Sequence, residues 1–158
     1  MKLHIVTVGH KAPAWVTAGF EEYARRMPRE LPLRLLEIKP YPRSGDSQAA
    51  GARARAEEKA RILAAAPTDS VKIALDERGK TLTTANLAQK LAAWMEQGRD
   101  LCFIIGGADG LHEELRTSAD LVLSLSALTL PHALVRVVLA EQLYRAISLI
   151  RNHPYHRE

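Results

Sequence analysis

Residues 121–132 read Leu-Val-Leu-Ser-Leu-Ser-Ala-Leu-Thr-Leu-Pro-His, and this stretch decides the fold. Its first five residues predict a strand, because leucine alternates there with small residues. Residues 126–131 have mostly apolar side chains, but their pattern is typical of neither a strand nor a helix. The backbone N–H and C=O groups of such a loop need partners. We therefore expect the loop either to pack beneath another element or to offer its backbone to a ligand.

The stretch that follows, residues 132–150, is apolar nearly all round when it is drawn as a helix. A helix of this kind is buried on several sides. In a chain of 158 residues, that pattern predicts a helix at a subunit interface.

Strand and helix patterns alternate along the rest of the chain, which predicts an α/β fold with a parallel sheet. We predict strands at residues 3–8, 33–39, 71–75 and 101–105, with a turn at residues 76–80. The length suits one domain, residues 1–158, with a core of its own.

The net charge of +4 favours a polyanionic partner, although a basic composition is also common in enzymes that never bind nucleic acid. No stretch reaches the length of a membrane span, and residues 1–8 lack the apolar core of a signal peptide. The single Cys102 excludes an intrachain disulfide, so we expect a cytoplasmic protein. The six histidines lack neighbours at metal-ligand spacing, and we expect no metal.

Two further motifs contain residues suited to ligand binding or catalysis. Gly106 and Gly107 follow the strand at residues 101–105, at the edge where open α/β sheets bind ligands. They suit close approach of a ligand to the backbone, although a tight strand-to-helix turn explains them equally. The tail at residues 152–158 reads Asn-His-Pro-Tyr-His-Arg-Glu and concentrates groups that transfer protons or bind anions. A disordered terminus is the other interpretation of the tail.

At these residues the chain resembles the RlmH family, bacterial SPOUT-class methyltransferases that methylate N3 of a pseudouridine in large-subunit ribosomal RNA. The resemblance runs end to end and is weakest between residues 40 and 66. It rests on matches near the start, on the glycine motif and on the last third of the chain: Met1-Lys-Leu3, Val8-Gly9, Trp15-Val16, Gly19-Phe20, Glu22-Tyr23, Ile104-Ile-Gly-Gly107, Gly110-Leu111, residues 124–132, Leu134-Val-Arg136, Glu141, Leu143-Tyr-Arg-Ala146 and residues 152–158.

The resemblance implies a carboxyl-terminal trefoil knot, a homodimer, and S-adenosylmethionine as the methyl donor. Since the chain contains no separate RNA-binding module, it also implies that the substrate is the assembled ribosome. The positions that match the family's cofactor site are Leu75, Gly106, Gly107, Ser126, Ala127, Leu128, Thr129, Leu130 and Pro131.

The resemblance also implies a catalytic role for the tail residues His153, Tyr155, His156 and Arg157. The N3–H of pseudouridine must lose its proton, and a histidine or the tyrosine oxygen is a suitable acceptor. Arg157 suits a phosphate or the developing base anion. Two alternatives remain open at this point: a non-catalytic module that binds nucleotide or RNA, and another SPOUT specificity such as ribose 2′-O transfer.

Overall fold

A computed structural model of the chain describes residues 1–9 and 11–157. Within them, five strands alternate with five helices and a short 3-10 helix follows. In chain order these are β1 (Leu3–Val8), α1 (Ala14–Ala24), β2 (Leu33–Ile38), α2 (Gln48–Ala65), β3 (Val71–Thr81), α3 (Thr84–Gln97), β4 (Leu101–Ile105), α4 (Glu113–Ser118), β5 (Leu121–Ser124), α5 (His132–Ile150) and the 3-10 helix Pro154–Arg157.

The strands form one parallel sheet in the order β2-β1-β4-β3-β5. Every residue of β1 and β4 is buried, as expected for inner strands that are covered on both faces. Their sequences are accordingly continuous apolar runs rather than alternating ones. The parallel α/β architecture predicted from the sequence is confirmed, whereas the knotted chain path remains an expectation from the family.

Helices cover both faces of the sheet and divide the core in two. One cluster includes Leu3, Ile5 and Phe103 and lies beneath α1, α3 and α5. The other includes Val6 and Ile104 and lies beneath α2 and α4. Successive side chains of each inner strand therefore pack into the cores on opposite faces of the sheet, as the two-residue period of a strand requires.

The predicted turn at residues 76–80 is wrong, because β3 continues to Thr81. Its pairing with β5 shifts register between Leu75 and Lys80, so both residues pair with Leu123. Gly79 lies directly against β5: a Cβ there would be 2.7 Å from the carbonyl oxygen of Val122. A glycine that allows two backbones to approach closely was mistaken for a turn signal.

Helix α5 is buried mainly within its own subunit, which corrects the argument that its apolar surface requires a partner. It packs against α1 and α3, and Leu139, Leu143 and Ile147 are at most 2% exposed. Val137 and Val138 remain half-buried. An apolar helix in the middle of a three-helix layer has neighbours on both sides, so the pattern alone does not identify an interface.

None of the helices among the described residues has both the length and the apolar composition needed to cross a membrane.

Candidate functional site

A cavity of about 420 Å³ opens at the carboxyl ends of β3, β4 and β5. Ligands of open parallel sheets bind at this edge. The walls are formed by the middle of β3, where its pairing with β5 shifts register, by the turn after β4, and by the segment from β5 into α5. The lining includes Leu75, Asp76, Glu77, Ile105, Gly106, Gly107, Asp109, Gly110, Leu123, Ser126, Leu128, Thr129, Leu130 and His132.

The cavity brings together seven of the nine residues matched to the family's cofactor site. These are Leu75, Gly106, Gly107, Ser126, Leu128, Thr129 and Leu130. Ala127 and Pro131 belong to the same loop but are not part of the lining. The loop is not packed beneath another element, since Leu128 is 74% exposed. Of the two expectations for this apolar loop, the arrangement favours backbone offered to a ligand.

The loop at residues 126–131 is held by hydrogen bonds of its own serines. The hydroxyl of Ser124 donates to the carbonyl oxygen of Ser126 (2.9 Å), and the N–H of Leu128 donates to the hydroxyl of Ser126 (2.9 Å). Pro131 then begins α5, and its carbonyl oxygen accepts from the N–H of Leu134. The small polar residues in the stretch thus give an apolar loop a defined backbone conformation.

The glycine turn forms the wall contributed by β4. The N–H of Gly110 donates to the carbonyl oxygen of Gly107 (3.0 Å), and Gly110 has a φ of 76°. A Cβ on Gly106 would come within 2.8 Å of the carbonyl carbon of Gly110, so the turn closes only without a side chain there. A Cβ on Gly107 would meet Val8 Cγ1 at 3.0 Å. Gly107 therefore lines the cavity, but a side chain on it would press on the core beneath the turn.

Arg43 and Asp109 fasten this turn to the loop that follows β2. The Arg43 guanidinium forms an ion pair with the Asp109 carboxylate and also donates to the carbonyl oxygens of Gly45 (2.8 Å) and Ser47 (3.1 Å). Arg55 Nη1 lies 3.4 Å from the carbonyl oxygen of Asp109. Arg43 thus organises both its own loop and one wall of the cavity.

Carboxylates line the rim beside β3. Asp76 accepts hydrogen bonds from the backbone N–H of Arg78 (2.8 Å) and from Arg116 Nη1 (3.2 Å). Glu77 accepts from the hydroxyl of Thr129 (3.2 Å), which links the end of β3 to the loop across the cavity. Asp76 is also ion-paired with Arg78 and Arg116, so the rim presents both charges beside apolar walls.

Tyr155 lies in the core of its own chain. Its ring is 8% exposed and lies 4.6 Å from the ring of Tyr144 and 6.5 Å from that of Tyr23, between centroids. Its hydroxyl donates to Glu141 Oε1 (3.1 Å). Burial, together with the neighbouring Tyr23 and Glu141, raises the pKa of Tyr155 well above 10, its usual value. Removal of the tail would therefore remove a buried side chain from the core.

The other tail residues lie closer to solvent. His153 is exposed, and its Nδ1 accepts from the backbone N–H of Tyr155 (3.2 Å). His156 is half-buried with its Nδ1 at the carbonyl oxygen of His153, and Arg157 is exposed. The seventh residue of the motif, Glu158, lies outside the described residues. The tail is thus a folded 3-10 helix and not a frayed end.

The tail folds back along α5 from the end of that helix. His132, at the start of α5, lines the cavity, whereas Tyr155 contacts Tyr144 and Glu141 in the middle of the helix. Glu141 is nine residues from His132, which at 1.5 Å per residue is about 14 Å. None of the tail residues that the structure describes belongs to the cavity lining of the same chain. The chain therefore does not bring its predicted catalytic residues to its own predicted cofactor site.

Sequence reasoning missed the charged groups around the cavity. Asp76 and Glu77 were assigned to a turn, and the ion pair between Arg43 and Asp109 joins residues 66 positions apart. The one available signal was the position of these acids directly after strands, at the edge where parallel sheets bind ligands.

The comparisons with known proteins agree with this architecture. Residues 1–156 match the protein family described as "Predicted SPOUT methyltransferase". The proteins called ribosomal RNA large subunit methyltransferase H from Burkholderia thailandensis and Burkholderia mallei are each 57% identical over 157 residues, covering 99% of both chains. A probable methylase family protein from Haemophilus influenzae shares the fold at a TM-score of 0.54 and 17% identity, over 98% of this chain and 69% of that one. On the full-length family match and these relatives, the chain belongs to the SPOUT methyltransferase family.

Proposed function

We propose that this enzyme transfers a methyl group from S-adenosylmethionine to N3 of a pseudouridine in large-subunit ribosomal RNA. The observation that carries the proposal is the 57% identity, over 99% of both chains, to proteins called ribosomal RNA large subunit methyltransferase H. The choice of N3 of pseudouridine rests on the RlmH resemblance, above all on the tail motif at residues 152–158. The substrate is the assembled ribosome, and the enzyme works in the cytoplasm, where ribosomes are.

The cavity fits S-adenosylmethionine in size and chemistry. Its volume of about 420 Å³ lies in the range of small-molecule sites. Leu75 and Leu130 give apolar walls for the adenine, and the backbone of the loop offers N–H and C=O groups to its polar edge. Glu77 at the rim suits the ligand's cationic groups.

The residues that hold the cofactor are the nine matched positions, with Leu75, the glycine turn at Gly106 and Gly107, and the loop at residues 126–131 as the main surfaces. Ala127 and Pro131 shape the loop without lining the cavity. Bound S-adenosylmethionine supplies an electrophilic methyl group for an in-line displacement. The chain's own contribution is to orient the two reactants, which accounts for much of the rate of such a step.

The proton on N3 must leave as the methyl group arrives, and His156 is the best acceptor in the tail. A neutral imidazole can accept a proton through a ring nitrogen that lies within hydrogen-bond reach of the base. Tyr155 is unsuited to this role, since its hydroxyl already donates to Glu141 and burial raises its pKa. Arg157 is exposed and binds a phosphate or the base anion, while His153 supports the backbone of the motif.

The proposed active site combines residues of two subunits. Because no described tail residue lines the cavity of its own chain, we assign the tail of one protomer to the cavity of its partner. The exposed Leu128 at the cavity mouth gives such a partner an apolar surface to cover. A symmetric homodimer then has two composite sites.

Subunit mixing tests this arrangement directly. One variant, Leu130→Arg, fills the cavity and keeps the tail; the other, His156→Ala with Arg157→Ala, keeps the cavity and Tyr155. Each is expected to be inactive as a homodimer. After subunit exchange, an equimolar mixture is expected to recover about one quarter of wild-type methylation, since half of the dimers are mixed and each of these has one complete site of two. No recovery in verified mixed dimers would contradict the composite site.

A further inference from the structure

A basic surface with an aromatic ring at its centre lies beside the cavity, outside the site described above. We call it the Tyr41 surface and define it by Lys39, Tyr41, Arg53, Glu57 and Arg61. Lys39 and Tyr41 follow β2, and the other three residues lie four positions apart along α2, on one face of that helix.

The guanidinium groups of two arginines lie over the ring of Tyr41. The Cζ atom of Arg61 lies 5.6 Å from the ring centroid, and that of Arg53 lies 6.0 Å from it. Arg61 Nη1 also donates to the carbonyl oxygen of Lys39 (2.7 Å), and the N–H of Tyr41 donates to Glu58 Oε2 (3.0 Å). The cations and the ring are therefore fixed relative to each other and to α2.

Acidic side chains only partly offset the charges of these two arginines: Glu58 interacts electrostatically with Arg61, and Glu57 lies one turn from both. Among the residues that the structure describes, neither Arg53 nor Arg61 forms an ion pair. The basic residues nearby differ from them: Arg43 is paired with Asp109, and Lys59 with Glu114. The guanidinium of Arg43 is engaged in the fold by Asp109 and by two carbonyl oxygens. Arg53 and Arg61 are left for an external anion.

We propose that the Tyr41 surface docks the enzyme on its RNA substrate by binding the phosphodiester backbone of large-subunit ribosomal RNA. Two guanidinium groups bind phosphate oxygens, and the partly exposed ring of Tyr41 packs against a ribose or an unpaired base. This proposal rests on the proposed function. It assigns the contact that brings the RNA to the enzyme, whereas the cavity and the tail act on the target base.

The position of the surface suits this role. The loop of Tyr41 and Arg43 follows the carboxyl end of β2, at the same sheet edge as the cavity. Arg43 joins that loop to Asp109 in the cavity wall. An RNA strand whose target base lies beside the bound cofactor is therefore close to this loop and to α2.

Glu57 offers a test in which the expected change in ribosome binding is opposite to that of the arginine variants. Its carboxylate is exposed and lies one turn from Arg53 and one turn from Arg61, so it repels a phosphate at the same surface. Glu57→Gln is expected to strengthen ribosome binding, and Arg53→Glu with Arg61→Glu to weaken it. Because exposed cation–π contacts contribute little to stability, these variants should fold normally.

The experiment measures methylation of ribosomes from a strain that lacks the enzyme, with labelled S-adenosylmethionine, at several salt concentrations. For Arg53→Glu with Arg61→Glu, KM for the ribosome should rise at least about tenfold, while the Kd of S-adenosylmethionine by calorimetry stays within about twofold. The slope of log(kcat/KM) against log salt concentration should become shallower by about 2. For Glu57→Gln, KM should fall. Arg99→Glu, at the opposite edge of the sheet, is the matched control and should leave KM unchanged.

Three results would overturn the docking proposal. One is an unchanged KM in the double variant. Another is an increase in KM that does not depend on salt, which would place a ribosomal protein rather than RNA phosphate at this surface. The third is a loss of S-adenosylmethionine binding in the double variant. If the wild-type enzyme methylates no ribosomes, the proposed function fails, and docking is then tested separately. The same variants are compared by filter binding to purified large subunits. Equal retention of all variants would overturn the docking proposal.

Discussion

Substitutions at Tyr155 test whether this tail residue supports the fold or takes part in catalysis. The ring is 8% exposed and packs on Tyr23 and Tyr144, so Tyr155→Ala leaves a cavity of nearly the whole side chain. Loss of a buried aromatic ring costs about 3–5 kcal/mol. Tyr155→Phe keeps the ring and removes only the hydrogen bond to Glu141. That carboxylate keeps Arg145 and Gln142 as donors, so we expect a cost of about 1 kcal/mol.

Urea unfolding at a fixed protein concentration measures both free energies, with methylation of ribosomes as the second readout. Tyr155→Phe is expected to retain most of the activity, because the phenol is a donor to Glu141 and not a proton acceptor. Two outcomes would refute this reasoning: a stability of Tyr155→Ala within about 1 kcal/mol of wild type, or an inactive Tyr155→Phe that is as stable as wild type.

Three further predictions follow from the buried and paired charges. Arg43→Ala should raise the Kd of S-adenosylmethionine roughly threefold, because the cavity wall loses its anchor, and Asp109→Asn should add little to that variant. Burial raises the pKa of Glu58 above its usual 4.5, so the folded state binds this proton more tightly than the unfolded state. Stability from this group is complete below pH 4.5 and is lost as the pH rises through the folded pKa; Glu58→Gln, which can still accept from Tyr41, should abolish that loss. Burial raises the pKa of the Cys102 thiol to about 11, so a disulfide reagent should label it only after unfolding.

Each of these has a clear contrary result. Equal and additive effects of Arg43→Ala and Asp109→Asn on cofactor binding would show that the two residues act separately. A stability profile between pH 4 and 8 that is the same for Glu58→Gln and wild type would exclude a raised pKa for that carboxyl. Stoichiometric labelling of Cys102 in the folded enzyme would show that this part of the sheet opens readily.

The sequence predicted the sheet well because its inner strands depend on local pattern. The apolar runs of β1 and β4 and the glycine turn after β4 are set by neighbours in the chain, and the structure has them at the expected residues. Most residues expected to bind the cofactor also meet around one cavity, because each follows a strand at one sheet edge.

What the sequence could not give depends on tertiary partners. The apolar circumference of α5 was ascribed to a second subunit, whereas α1 and α3 cover much of it. The tail was judged by its position after the last helix, although Tyr155 is held by rings from α1 and α5. Gly79 reads as a turn residue, and only the close approach of β5 explains it. Each error arose where a residue distant in the sequence decides the environment.

The central claim is methylation of N3 of a pseudouridine in large-subunit ribosomal RNA. The most direct test incubates the purified enzyme with labelled S-adenosylmethionine and ribosomes from a strain that lacks it, and then maps the product by nuclease digestion and mass spectrometry. The account predicts one methyl group per large subunit, located on the base of a single pseudouridine. Absence of transfer, or a methyl group on a ribose 2′-oxygen, would contradict it.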